Sequence, residues 1–292
     1  MNWENLRSDE MKSAIERSGG LCILPFGCME KHGPHMPLGT DSMKAKACVE
    51  QAAEIEEVVV FPTGLWLGDV MSSQSNDAPT APGYIGLSPN LLMMVLEELC
   101  DEIARNGFRK ILIVNSHGGN KALLSFFLRA QGYKRKNYAT MVVQHRPSYI
   151  TRAEECYPYF TEHREEYPML TDEDMAVLKN YAENGGFGGG HADFSETANI
   201  MGYWPHLIAQ DRYEVESGAS THRADYLPSG VELKGAWYAN HPNAYDGKPP
   251  HGCSQTIGEA MNLGCARRLA EIFKQLKNDE ECVRIASEDT AR

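Results

Sequence analysis

Apolar and polar residues follow two alternating patterns over the first half of the chain. Helical periodicity, with apolar residues every three to four positions, covers residues 11–20, 40–57, 90–107 and 121–133. Short apolar runs typical of buried strands stand between these segments, at residues 21–28, 58–62, 110–115 and 139–145. Strands that alternate with helices in this way predict an α/β domain with a parallel sheet and helices on both faces.

The second half of the chain is less regular. Residues 146–185 are acidic and tyrosine-rich, and we expect an irregular excursion or lid that ends in a helix. A glycine-rich turn and a short helix should follow, and residues 203–253 are rich in turn formers, as functional loops or interfaces are. Apolar residues at helical spacing after Ser254 predict a C-terminal helix that faces the core. Without repeats or a clear linker, residues 1–292 are interpreted as one domain.

Composition narrows the class of protein. The 42% apolar content allows a sizeable core, and the formal net charge of -12 argues against nucleic acid as a partner. No apolar run approaches the ~18 residues of a membrane span, and the first residues lack the apolar core of a secretory signal. None of the eight cysteines forms a CxxC pair, which favours reduced thiols in a cytoplasmic protein over a thiolate zinc site.

Ligand-type side chains follow several of the predicted strands. They occur in the segments GCMEKHGPHMPLGTD, NSHGGN and GHADFSET, and the candidates are Glu30, His32, Asp41, His117, His191 and Glu196. The carboxyl ends of parallel strands form a common rim, so these groups would meet in one pocket. Carboxylates and imidazoles suit zinc, manganese or iron, and a shared carboxylate could bridge two ions around a hydroxide. A single histidine in such a turn is more often an ordinary turn residue than a metal ligand. The metal-site hypothesis therefore depends on ligand-type residues occurring in all three segments, which we call the first, second and third clusters.

In this order, the three segments resemble the creatininase (creatinine amidohydrolase) family. The first is close to the family's E-x-H-G-x-H-x-P-x-x-x-D, and the second matches N-G-H-G-G-N with Ser116 for glycine. The third resembles G-H-A-G-x-x-E-T-S, with Asp193 and Ala198 at the differing positions, and residues 81–89 are similar to a further family segment. The resemblance implies a three-layer α/β/α fold with a mostly parallel central sheet, two divalent metal ions per chain and a homo-oligomer, often a hexamer.

The resemblance also implies a role for each motif residue. Glu30 and His117 would bind one metal ion and His32 the other, while Asp41 would bridge the two. Glu196 would be a further ligand. His191 would contact substrate and relay a proton, and His35 would support the ligands from behind.

Departures from the family pattern bear on the substrate. Gly118 stands where creatininase has a tyrosine, and Phe187 and Gly188 stand where it has a tryptophan and an aspartate. We therefore expect Gly118 and Phe187 to face a substrate other than creatinine. The resulting prediction is a metal-dependent amidohydrolase that cleaves a non-peptide or cyclic C–N bond in a small-molecule amide.

Three other functions stay open and one is disfavoured. A formamide deformylase acting on a formamidopyrimidine nucleotide would need basic residues for phosphate, and Arg109, Lys110 and Lys121 flank the second segment. A peptidase that trims a cofactor-precursor peptide is a further branch of the family. A non-catalytic metal-binding member of the fold is the third alternative. Dinucleotide binding is disfavoured, because GGFGGG lacks the spaced glycine fingerprint.

Overall fold

A parallel four-stranded sheet forms the centre of the molecule. The computed structural model describes residues 1–62, 68–69 and 83–288, so the first two residues of the family-like segment 81–89 lie outside the described ranges. The strand order is β2-β1-β3-β4, with β1 at Leu21–Phe26, β2 at Val59–Val60, β3 at Lys110–Asn115 and β4 at Ala139–Gln144. Phe26 pairs with Asn115, and Asn115 pairs with Gln144, so three strands end at the same edge.

Helices cover both faces of this sheet, and the layers are therefore α/β/α, as the resemblance implies. In chain order the helices are α1 (Met11–Arg17), α2 (Thr40–Ile55), α3 (Pro89–Arg105), α4 (Asn120–Gln131), α5 (Ser148–Thr151), α6 (Ala153–Glu162), α7 (Asp172–Asn184), α8 (Phe194–Tyr203), α9 (Ala236–Asn240), α10 (Gln255–Lys277) and α11 (Glu281–Ser287). The helices α1, α3 and α4 pack on one face, whereas α2, α8, α10 and α5 to α7 pack on the other.

Strand β1 shows why both faces must be covered. Leu21 and Ile23 point into the core beneath α2 and α10, whereas Cys22, Leu24 and Phe26 point into the core beneath α3 and α4. Successive side chains of a strand alternate between faces, and here both sets are apolar and buried. Such a strand is stable only inside a sheet with helices on each side.

Residues 146–185 differ from the sequence-based expectation. The segment is mostly helical, and Ala153, Cys156 and Phe160 of α6 are fully buried in the core. Their spacing of three and four is that of a core-facing helix. The acidic, tyrosine-rich composition predicted irregular structure there, and Pro158 lies inside α6, where proline usually ends a helix. Only the helix expected at the end of the segment, α7, is confirmed.

Residues 203–253 contain little regular structure but fold back onto the domain. Tyr213 and Tyr245 are buried against Ile200 and Met201 of α8. The glycine-rich segment expected as a turn forms strand β5 (Gly188–His191), which pairs antiparallel with β6 (Asp246–Gly247). In the described ranges, no helix is both long and apolar enough to cross a membrane.

Candidate active site

The segment after β1 brings the first cluster to the edge of the sheet. It carries Glu30 and His32 and ends where α2 begins, so that Asp41 lies in the first helical turn. Gly39 occupies the N-cap position. A Cβ atom at Gly27 would lie 2.4 Å from the Ser42 nitrogen, so only glycine permits this close approach of the loop to α2.

The segment after β3 places His117 beside the first cluster. Asn115 holds the turn, since its Nδ2 donates to the His117 carbonyl at 2.7 Å. His117 Nδ1 lies 3.1 Å from Glu30 Oε1 and 3.0 Å from Asp41 Oδ2. Its other nitrogen, Nε2, lies 3.1 Å from the Asp69 carbonyl oxygen. The imidazole is therefore fixed on one side and directed at two carboxylates on the other.

The third cluster is positioned by the start of α8. Asp193 is the N-cap residue, and its carboxylate accepts hydrogen bonds from the Glu196 amide at 3.0 Å and the Ser195 hydroxyl at 2.8 Å. The Ala192 amide donates to Glu196 Oε2 at 2.8 Å, which turns this carboxylate back toward the cluster. Behind it, His35 Nε2 lies 3.0 Å from Thr197 Oγ1, consistent with a supporting position.

The structure brings all six candidate residues together: five of them form two donor sets that share Asp41, and His191 lies with Glu30 and His32 in a third. Glu30, Asp41 and His117, together with Cys28, form the first set, and His32, Asp41 and Glu196 form the second. Within each set the potential ligand atoms lie within 4.8 Å of one another. Asp41 belongs to both sets, because Oδ2 faces His117 while Oδ1 lies 3.6 Å from His32 Nε2.

The donor atoms meet the requirements of divalent metal ions. Glu30, Asp41 and Glu196 are carboxylates that are almost completely buried. Glu30 Oε1 and His32 Nε2 are buried and form no hydrogen bond of good geometry among the described residues, and the polar atoms nearest to them belong to the cluster itself. Oxygen and imidazole nitrogen donors suit zinc, manganese or iron. Orphaned donor atoms in a buried anionic cluster are what a cation site requires.

The electrostatics of the cluster are consistent with a strong negative potential. Burial alone would lower the pKa of His117, but the carboxylates of Glu30 and Asp41 outweigh it and raise that pKa well above its usual value. The pKa of His32 is raised in the same way, chiefly by Asp41. Burial raises the pKa of Cys28 well above its usual value, so Cys28 is a thiol that donates to Asp41 Oδ2 at 3.1 Å.

Two cations that contact the cluster were not singled out from the sequence. Lys44 is fully buried, and its Nζ lies 2.7 Å from Asp41 Oδ1 and also contacts Glu196 Oε1. Arg146 Nη2 lies 3.4 Å from the same Glu196 oxygen. Both residues could have been recognised from the sequence. Lys44 is three residues after Asp41 on one helix face, and Arg146 closely follows the end of β4.

His191 lies at the mouth of the cluster with one ring nitrogen fixed. Its ring stacks on that of His32, with centroids 4.4 Å apart, and forms a T-shaped contact with the Trp237 ring, with centroids 5.0 Å apart. Nε2 lies 2.9 Å from the Lys31 carbonyl, which can only accept, so Nε2 carries the proton of the neutral ring. Burial and the nearby His32 lower the pKa of His191. Nδ1, 3.6 Å from Glu30 Oε1, is then free to accept a proton.

A cavity of about 790 Å³ opens above the cluster. Five of the six candidates line it, while His32 is fully buried beneath His191. The remaining lining residues include Ser116, Gly118, Lys121, His145, Arg146, Arg152, Trp237 and Tyr238. Of the three basic residues noted beside the second segment, Lys121 therefore reaches the cavity. Lys110 begins β3, at the opposite end of the strand, and its Nζ donates to the Lys277 carbonyl at 2.9 Å.

The two residues expected to face substrate differ in their placement. Gly118 lines the cavity, and a Cβ atom added to it would meet open space. Phe187 instead lies in the core, 2% exposed, and stacks on Phe194 with centroids 4.9 Å apart. Tyr181 packs against the same ring pair. This placement argues against the substrate contact expected for Phe187, because its ring is enclosed by other aromatic side chains.

Comparison with known proteins places this architecture in a family. The family model described as creatinine amidohydrolase matches residues 4–273. The chain belongs to the creatininase family. Among curated creatininase-family relatives, creatinine amidohydrolase of Pseudomonas putida is 27% identical over 115 residues, which cover 39% of this chain and 44% of that protein. Mycofactocin precursor peptide peptidase of Mycobacterium tuberculosis is 31% identical over 117 residues, which cover 38% of this chain and 46% of that protein.

Solved creatininase structures share the fold over nearly the whole chain. A crystal structure of creatinine amidohydrolase (creatininase) superposes with a TM-score of 0.67 at 20% identity, covering 95% of this chain and 98% of the other. A creatinine amidohydrolase homologue from Bacteroides fragilis gives 0.64 at 19% identity, covering 89% and 91%. The matched segments of the curated relatives are shorter and span less than half of those proteins.

Proposed function

We propose that this creatininase-family protein is a metal-dependent amidohydrolase that cleaves a non-peptide or cyclic amide C–N bond. The observation that carries the proposal is the position of Asp41, which is shared by two donor sets at the edge of the sheet. A carboxylate with one oxygen directed at each set is the arrangement that a pair of bridged ions requires.

The residues divide between the two proposed metal positions. Glu30 and His117 would hold one ion, His32 and Glu196 the other, and Asp41 would bridge them. Bound there, two divalent ions would supply a water of lowered pKa and a polarised substrate carbonyl. One related creatininase structure is described as a Zn-Zn type and another as a manganese form, which supports zinc or manganese here.

The proton transfer is assigned to His191. Because the Lys31 carbonyl holds Nε2–H, Nδ1 accepts a proton from the attacking water and delivers it to the leaving nitrogen. The Trp237 ring packs against the imidazole in a T-shaped contact and limits its rotation. His32, stacked beneath, fixes the distance of the ring from Glu30. The carbon–nitrogen bond then breaks with the amine leaving in its neutral form.

A second candidate is a formamide deformylase that acts on a formamidopyrimidine nucleotide. The observation in its favour is that Lys121, Arg146 and Arg152 line the cavity, where they could meet a phosphate. The same active-site chemistry would serve, since a formamide is also an amide. A non-catalytic role is less well supported, because no expected donor residue has been lost.

The first test is the metal content of the purified, metal-loaded protein. We expect about two transition-metal ions per chain for the wild type and one or none for Asp41→Asn, measured by plasma mass spectrometry. Asp172→Asn is a matched control, because Asp172 is also a first-turn helix aspartate but is fully exposed. One ion or none in the wild type would refute the bridged site. Hydrolysis of cyclic amides and formamides by the loaded wild type then tests the reaction.

A further inference from the structure

We propose that the cavity contains a second subsite, which binds an anionic group of the substrate, a carboxylate or a phosphate. The subsite is the basic wall, defined as Ser116, Lys121, His145, Arg146 and Arg152, all of which line the cavity. The identity of the anion as part of an amide substrate rests on the proposed function. The existence of the subsite does not, because it is argued from the wall itself.

Two buried polar groups on this wall lack a partner. Ser116 is 8% exposed and His145 is 4% exposed. Within the described part of the chain, neither Ser116 Oγ nor His145 Nε2 has a hydrogen-bond partner. Buried polar atoms are rarely left unpaired, since their desolvation is then not compensated. Both residues line the cavity, so a ligand in the cavity is the natural partner for these atoms.

The two groups are neighbours because their strands are neighbours. Ser116 directly follows β3 and His145 directly follows β4, and the last residues of these strands, Asn115 and Gln144, are paired. The His145 amide donates to the Asn115 carbonyl at 2.9 Å, which extends the pairing by one residue. The sheet therefore presents a hydroxyl and an imidazole side by side.

The charges on the wall select an anion. Arg146 is held in place by Ser195 Oγ at 2.8 Å and by Glu196. Lys121 forms no salt bridge among the described residues, and Arg152 has only a long contact of 3.5 Å with Glu155. In a protein with a net charge of -12, three cations around two unpaired polar atoms indicate an anionic ligand.

The N-terminus of α4 adds to the positive electrostatic potential of the basic wall. The helix spans 12 residues from Asn120, and Gly118 and Gly119, which precede it, also line the cavity. A helix N-terminus carries a partial positive charge and exposes backbone N–H groups. Gly118 leaves open space where a side chain would stand, so an anion can approach this end of the helix.

The experiment is calorimetric titration of the metal-loaded protein with inorganic phosphate and, separately, with acetate. We expect binding to the wild type, weakened about tenfold by Lys121→Gln and by Ser116→Ala, as expected for loss of a charge-assisted contact. Lys12→Gln, which removes an exposed lysine of α1, should leave binding unchanged. Lys121 is also exposed, so its replacement tests the wall even if Ser116→Ala fails to fold.

Asp41→Asn separates this subsite from the metal centre. Phosphate binding that survives Asp41→Asn but is lost in the wall variants supports the subsite, even if no amide is ever hydrolysed. Binding that is lost in Asp41→Asn and kept in the wall variants places phosphate on the metal ions and overturns the proposal. No binding of either anion to the wild type also overturns it. Tighter binding of phosphate or of acetate identifies which anion the substrate carries.

Discussion

The cavity has two sides of opposite charge, and they are built in different ways. On the metal side, Glu30, Asp41 and Glu196 are almost completely buried, and each is held by several contacts. On the basic wall, Lys121 is exposed and Arg152 forms one long contact. A rigid, enclosed cluster suits bond cleavage, whereas open cations suit recognition of a group that varies between substrates. The comparison indicates that reaction chemistry and substrate choice depend on different side chains, which can change independently.

Arg146 connects the two sides. Its guanidinium contacts Glu196 and Ser195, and its side chain also lines the cavity. A ligand on the basic wall would therefore lie next to a group that touches a proposed metal ligand. The four predictions below test this comparison and run from the largest expected effect to the smallest.

His191→Ala should produce the largest effect on the metal side. We expect kcat to fall about 10²–10⁴-fold, the usual contribution of a general acid–base group, with metal content unchanged. Steady-state kinetics and metal analysis on one preparation provide both readings. His206→Ala, which removes an exposed histidine, is the control. Loss of metal from His191→Ala would instead make His191 a ligand, in the set that it forms with Glu30 and His32.

Phe187→Ala should affect stability and neither side of the cavity. Phe187 is buried between aromatic rings, and truncation of such a residue usually costs about 3–5 kcal/mol of unfolding free energy. Denaturant unfolding measures this loss, and KM should stay at the wild-type value in the folded fraction. A raised KM with unchanged stability would restore the substrate contact expected from the sequence.

Lys44→Met should reduce the difference in affinity between the two proposed metal positions. Lys44 contacts Asp41 and Glu196, both of the second donor set, so its charge opposes a metal ion there. Removing it should strengthen the weaker of two metal-binding steps by about tenfold, which corresponds to ~1.4 kcal/mol of relieved charge repulsion. Calorimetric metal titration resolves the two steps. Weakening of both steps would mean that Lys44 chiefly orients the carboxylates.

Gly118→Ala and Gly119→Ala form a matched pair on the same loop, with unequal expected effects. A methyl group at Gly118 meets open space, so stability should stay within about 0.5 kcal/mol of the wild type. At Gly119 the added Cβ would lie 2.4 Å from His117 Nε2, which must displace the imidazole and lower metal content. Thermal unfolding and metal analysis test the pair, and equal effects would contradict the placement of this loop.

The parts of the site that follow strands were predictable from sequence, and the reason is physical. Glu30 and His117 come shortly after β1 and β3, and parallel strands end at one edge. Lys44 was missed because a lysine in a helical pattern normally indicates a solvated face. Trp237 and Tyr238 were missed because the segment that contains them is brought to the cavity by the β5–β6 pairing, which short turn-rich segments do not reveal.

The flush ends of β1, β3 and β4 have a consequence for how the site can change. Each strand has six residues, and all three run in matching register, so the loops that carry the site begin at the same level of the sheet edge. Adding one residue to any strand would move its following side chains to the opposite face of the sheet. It would also shift the start of the loop after that strand by about 3.3 Å. The spacing of the proposed metal ligands is thus inherited from the sheet, while the loops remain free to diverge.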